Sequence, residues 1–132
     1  MPLEGEQLSI KEALALGHVA GFRGPKLIEL VAIMCGESGR YTRAWHANVI
    51  DDKVTSVDRG LMQLNSKAQP DVTEEQAFDP VLNVTYSFEL SKEGTDWHYW
   101  MAYTSGAYEK FMAGVREVKD ADTWKTRTKL WE

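Results

Sequence analysis

Gly24-Pro25-Lys26-Leu27-Ile28-Glu29-Leu30-Val31-Ala32-Ile33-Met34-Cys35-Gly36-Glu37-Ser38-Gly39 decides how this chain folds. Proline suits the first position of a helix, where its missing N–H costs nothing. Apolar residues at 27, 28, 30, 31, 33 and 34 then wrap nearly all round a 3.6-residue period, which marks a helix buried on every side. This is the expected central helix. Gly36 and Gly39 punctuate its end, so Glu37 falls in the last turn of a buried helix. The apolar run is nine residues long, Leu27 to Cys35, and Glu29 interrupts it. That is well short of the ~20 residues that cross a bilayer, and no membrane partner is expected.

On the N-terminal side, Leu8-Ser9-Ile10-Lys11-Glu12 reads as a helix start, with Ser9 as N-cap, Glu12 completing a capping box and Leu8 placed as a staple. The helix is expected to end near Gly17 or Gly21. On the other side, Tyr41 to Gly60 loses helical periodicity around Asn48, Asp51-Asp52 and Lys53-Val54-Thr55, which predicts a hairpin or an irregular lobe. Thr73-Glu74-Glu75-Gln76 is a second capping box, and Asp79-Pro80 opens a helix expected to reach Glu93 before Gly94 stops it. Asp96 is expected to cap a helix carrying Trp97, Trp100 and Met101 on one face, broken at Gly106 or Gly114. The fold class is mainly α (α+β): five to six helices around the central buried helix, with a small β-hairpin or irregular lobe. Arg116 to Glu132 alternates in charge around Trp124 and Trp131, and suits either a terminal helix packing back or a link to a partner chain.

A chain of 132 residues fits a single domain, and 43% hydrophobic with 27% charged residues is a globular composition. The one cysteine, Cys35, makes no internal bridge and reads as a buried thiol. Met1-Pro2-Leu3-Glu4-Gly5-Glu6 lacks the positive start and apolar stretch of a secretion signal, so none is expected. A net charge of −5 without a Lys/Arg cluster argues against a nucleic-acid partner. His18, His46 and His98 lack paired ligand spacing and phosphate-loop glycine patterns are absent, so neither a metal nor a nucleotide cofactor is expected.

The chemistry centres on Cys35-Gly36-Glu37-Ser38-Gly39 and on Ser56-Val57-Asp58-Arg59-Gly60-Leu61-Met62-Gln63-Leu64-Asn65. A carboxylate where an apolar helix meets a glycine-flanked turn is partly desolvated, which raises its pKa toward that of a general acid. By composition alone, a glutamate at a helix end is more often a surface residue. Asp58 follows Glu37 by 21 residues, enough for a hairpin to set the two carboxylates across a cleft, the equipment of glycoside hydrolysis. Spacing alone fits as well, and better, an Asp58 that pairs with Arg59 or caps a turn.

Glu37-Ser38-Gly39, Gly60-Leu61-Met62-Gln63-Leu64-Asn65 and Trp97-His98-Tyr99-Trp100-Met101-Ala102-Tyr103-Thr104-Ser105-Gly106, in this order, resemble the lysozyme-like superfamily. The resemblance covers roughly residues 8 to 115, leaving 116 to 132 as a C-terminal extension of one domain. It includes Ala20-Gly21-Phe22-Arg23-Gly24, which looks like the corresponding stretch in phage tail proteins and endolysins. It implies a lysozyme-like fold with a cleft, and peptidoglycan glycan strands as partner. Ser56 to Ser66 is similar to the animal-type lysozyme segment, and Asp58 falls on its second catalytic carboxylate. Gly60-Leu61-Met62-Gln63 and Ala102-Tyr103 also look like the lytic transglycosylases, which use one glutamate and usually carry asparagine where this chain has Thr104.

What the resemblance implies is a muramidase, with Glu37 as acid/base and Asp58 as nucleophile or electrostatic stabiliser. A lytic transglycosylase and a non-catalytic glycan-binding or structural virion module are the alternatives. The first tryptophan of the pair Trp97 and Trp100 is expected beside Glu37, with Trp100 in the core. Trp45, Trp97 and Tyr103 are expected to line the glycan groove, while Gln63 and Asn65 present amides to an N-acetyl group, orient a carboxylate, or hold a turn. The implied setting is a phage virion, or a host cytoplasm from which the protein is released to the wall. The net charge of −5 counts against this reading, because bacterial walls are themselves anionic and offer such a chain no electrostatic steering.

Overall fold

The structure is a computed structural model that describes residues 4–132; the absence of a secretion signal was read partly from residues 1–3, which lie outside them. Ser9 opens α1 (Ile10–Ala20) as its capping box dictates: the Glu12 N–H donates to the Ser9 hydroxyl at 3.0 Å, and the Ser9 N–H donates to the Glu12 carboxylate at 2.8 Å. Gly21 ends the helix, while Gly17 stays buried inside it. Then comes α2 (Gly24–Ser38), whose apolar residues from Leu27 to Cys35 are all buried. Around it run α3 (Glu74–Phe78), α4 (Pro80–Leu90), α5 (Met101–Thr104), α6 (Glu109–Asp120) and a terminal 3-10 helix (Thr123–Leu130). The lobe expected between Tyr41 and Gly60 is a three-stranded antiparallel sheet, β1 (Trp45–Ile50), β2 (Lys53–Arg59) and β3 (Leu64–Asn65), in the order β1-β2-β3. The result is a mainly α, lysozyme-like fold. Among the described residues, no helix is long and apolar enough to cross a membrane.

Two helix boundaries differ from expectation. α4 stops at Leu90 rather than Glu93, because Lys92 and Glu93 adopt left-handed backbone (φ 52° and 62°) and the Ser91 hydroxyl accepts from the Gly94 N–H. Asp96 caps no helix; its carboxylate accepts from the His98 N–H two residues on, holding the chain in turns until α5 begins at Met101.

Across residues 116 to 132, α6 runs unbroken past position 116 and packs on α2, and the 3-10 helix packs on α1. Trp124 is buried against His18 at 5.4 Å between ring centroids, and the Trp131 indole N–H donates to the Glu12 carbonyl at 3.0 Å. The tail packs back onto its own domain.

The sheet is tied to the helices through Asn83, 1% exposed in α4. Its side-chain oxygen accepts from the Met62 N–H, and its amide N–H group donates to the Arg59 and Ala77 carbonyls. Gly60 makes the approach possible: it has φ 77°, and a Cβ there would lie 2.1 Å from the Ala77 carbonyl oxygen. Three backbone groups that would otherwise be stranded in the interior thus share one side chain. Asn83→Ala is expected to cost about 3 kcal/mol, roughly the penalty of leaving such groups unsatisfied. Urea unfolding measures it; a loss under 1 kcal/mol would mean that water replaces the amide.

Candidate active site

Glu37 is placed by a close approach between α2 and α5. A side chain at position 36 would put its Cβ 2.8 Å from that of Ala102, so Gly36 lets α5 settle against the end of α2. It does not punctuate the helix as expected; it lies within α2, and Gly39 (φ 63°) forms the left-handed cap. Ala102 is in the first turn of α5, where backbone N–H groups have no partner within the helix. It donates to Glu37 Oε2 at 2.8 Å. Burial pushes the Glu37 carboxyl up to about 6, helped by the negative charge of Asp58 and opposed by the Ala102 N–H.

The aromatic wall at this site is Trp100, not Trp97. Trp100 is 2% exposed, lines the same cavity as Glu37, and donates its indole N–H to the Met62 carbonyl at 2.9 Å. Trp97 lies in the core, packed edge-on to Trp100 at 5.2 Å and stacked on Phe22 at 5.8 Å. Its indole N–H is buried without a partner among the described residues.

Asp58 comes from β2. Partners across an antiparallel pair share a face, and successive residues alternate. Asp58 pairs with His46 on one side and Asn65 on the other, and Ser56 pairs with Asn48, so these side chains share one face. The amide of Asn48 donates to Asp58 Oδ2 at 3.2 Å and that of Asn65 donates to Oδ1 at 2.9 Å; both also donate to the Ser56 hydroxyl. The Asn65 oxygen accepts from the Lys67 and Ala68 N–H groups, which fixes its amide with the NH₂ toward Asp58. Asp58 neither forms an ion pair with Arg59 nor caps a turn.

Glu37 and Asp58 line one cavity of about 140 Å³ with Gln63, Asn65, Tyr99, Trp100 and Met101. Gln63 is also a turn lock: its backbone is left-handed (φ 50°) and its amide donates to the Ala44 and Gly60 carbonyls. Like Trp97, the other two expected groove residues, Tyr103 and Trp45, lie elsewhere. Tyr103 stacks on Tyr108 at 4.9 Å and is not in the cavity lining.

Trp45 lies on the opposite face of the sheet, beside Arg59, because a bulge between Asn48 and Val49 shifts the β1–β2 register by one residue. Continued from the Ile50–Lys53 pair without that bulge, the register would set Trp45 opposite Asp58. Asn48, Ser56, Tyr99, Met101 and the Ala102 N–H are site groups that sequence reasoning missed. Asn48 was the accessible one, since any hairpin turning at Asp51-Asp52 brings it near the strand that carries Asp58.

A family model described as "Lysozyme like domain" matches residues 14–102, about two thirds of the chain. This chain belongs to the lysozyme-like domain family. The family is one of peptidoglycan-acting lysozymes and transglycosylases. No curated protein and no solved structure matches the chain. The matched span of this lysozyme-like domain contains both carboxylates and ends at Ala102, the residue whose N–H holds Glu37.

The raised Glu37 pKa has a stability consequence with a definite sign. The folded chain keeps the Glu37 proton up to about pH 6, whereas an ordinary glutamate releases it near 4.5. The folded state therefore binds more protons between those values, and stability falls as pH rises through that window, by about 2 kcal/mol in total. Urea unfolding from pH 4 to 7 is expected to show this fall in the parent domain and a flatter profile in Glu37→Gln; identical profiles would place the Glu37 carboxyl in water.

Proposed function

We propose that this lysozyme-like domain is a muramidase, a glycoside hydrolase that cleaves the bond between N-acetylmuramic acid and N-acetylglucosamine. Protonated Glu37 gives its hydrogen to the bridging oxygen as the C1–O bond breaks, and the positive charge that grows on the ring is met by the Asp58 carboxylate. Water then adds to C1 and returns a proton to Glu37, which closes the cycle. The observation that carries the reading is Asp58 facing the Glu37 cavity with each oxygen bound by a separate amide, from Asn48 and Asn65. Two donors on two oxygens fix the plane of a carboxylate, and fixed orientation is what a group meeting a short-lived cation requires. A transglycosylase closes the ring with the sugar's own hydroxyl and has no use for a second oriented carboxylate. Thr104 in place of the usual asparagine points the same way.

The exposed ring of Tyr99 and the edge of Trp100 supply apolar wall against which a sugar face packs. For the setting we propose a phage product, carried in a virion or released from the host cytoplasm, on the resemblance of Ala20 to Gly24 alone.

Digestion of purified sacculi followed by mass spectrometry tests turnover and mechanism together. Reducing-end muramic acid is expected, with the rate falling as pH rises above about 6, where Glu37 loses its proton. Glu37→Gln and Asp58→Asn are each expected to lower the rate about a hundredfold or more. Release of 1,6-anhydromuramic acid with Asp58→Asn still active would establish a transglycosylase instead. Tight retention on sacculi with no cleavage would establish a glycan-binding module.

A further inference from the structure

A cavity of about 450 Å³, larger than the one that holds Glu37, lies apart from it. It lies on the reverse face of the sheet and is lined by Arg43, Trp45, Arg59, Phe78, Glu4 and Glu74, among others. Its volume is within the range of small-ligand sites, and its lining combines two aromatic rings with charges of both signs.

Arg59 is 7% exposed, and its guanidinium gives one N–H to the Leu64 carbonyl and one to the Val72 carbonyl. A guanidinium has five N–H donors, and Nη1, which is not fully buried, has no hydrogen-bond partner among the described residues. Arg43 stacks on the Phe78 ring, 4.6 Å from its centroid. The ion pairs among the described residues, His98–Asp96 and Lys125–Asp122, include neither arginine. Burial works against the charged form of Arg59, and the negative charges of Glu74 and Asp58, beyond ion-pair distance, offset it in part. Arg59 thus keeps a donor free on the cavity side, with aromatic surface beside the place where an acceptor would sit.

We propose that this reverse-face cavity is a second binding site, which takes a carboxylate of the peptidoglycan stem peptide on Arg59 and Arg43, with the peptide body over Trp45 and Phe78. Planar bidentate capture of carboxylate is what guanidinium groups do best. Glu4 and Glu74 on the same lining suit a ligand that also carries an amine, and stem peptides combine free carboxylates with a diamino acid. Arg59 adjoins Asp58 in β2, and five extended residues reach roughly 17 Å. A strand cut at Glu37 and a peptide held behind Asp58 therefore belong to the same stretch of wall. Such a handle answers the weakness of a chain with net charge −5 on an anionic polymer, since two local cations hold one carboxylate where the overall field repels it. The proposal rests on peptidoglycan being the substrate, but not on turnover.

Calorimetric titration of the full chain with free stem peptide, released from sacculi by an amidase, tests it. Saturable binding is expected, weakened about tenfold in Arg43→Glu, with turnover of peptide-stripped glycan strands unchanged in that variant and turnover of intact sacculi reduced. Circular dichroism confirms that the variant folds; if it does not, Arg43→Gln carries the comparison. No binding of the peptide by the parent chain would overturn the site, as would equal affinity in the variant or Arg43-dependent binding of stripped glycan, whose lactyl groups are free carboxylates, without binding of the peptide. Peptide binding by a chain that cleaves nothing would sink the muramidase reading and leave this site standing.

Discussion

The hydrogen bond from the Ala102 N–H to Glu37 joins residues 65 apart in sequence, and the rest of the site is arranged around it. It exists because three sequence features meet. The α2 pattern buries the helix to its last turn, Gly36 has no side chain to hold α5 off, and α5 is only four residues long, so its second N–H has nothing within the helix to bond. The bond costs the acid some of its raised pKa, because an N–H donor favours the carboxylate. Burial wins that contest. What the donor gives in return is direction: a protonated carboxyl with one oxygen tied to the backbone presents the other to the cavity.

Asp58 depends on a different kind of constraint. A strand alternates faces, so the same three strands that carry Asp58, Asn48, Ser56 and Asn65 toward Glu37 must carry Trp45, Val57 and Arg59 away from it. The one-residue bulge after Asn48 decides which set goes where. The two cavities of the sheet are therefore consequences of a single register, and Asn83, by pinning the end of β2 to α3 and α4, holds that register against the helices.

Much of this was legible in the sequence, and the reason is locality. The α2 helix follows from its own apolar period, and the capping boxes at Ser9 and Thr73 from residues three apart that bond to each other. Glu37 was legible for the same reason, since its burial is a property of its helix. The misreadings all involve partners distant in sequence or backbone that propensity disfavours. Lys92 and Glu93 are left-handed without being glycine, which ends α4 early. Trp97 and Trp100 are equivalent in any local pattern, and only the Met62 carbonyl, 38 residues away, selects Trp100 as the wall. Trp45 is aromatic and near Asp58 in the hairpin, yet a bulge that no composition signals turns it to the other face.

The lone unsatisfied side-chain donor buried among the described residues, the Trp97 indole N–H, sits directly behind this wall. An unpaired buried N–H costs stability, and an apolar residue of similar size would avoid the cost. A large flat ring at this point nevertheless packs Phe22 on one side and Trp100 on the other, so that Trp100 cannot tilt away from the cavity without opening the core. Glu37 needs a dry, immobile neighbour to stay protonated, and a rigid aromatic stack behind Trp100 is a direct way to provide one. The indole donor left without a partner is then a local loss accepted in a domain whose Asn83 satisfies three backbone groups at once, a short distance along the same chain.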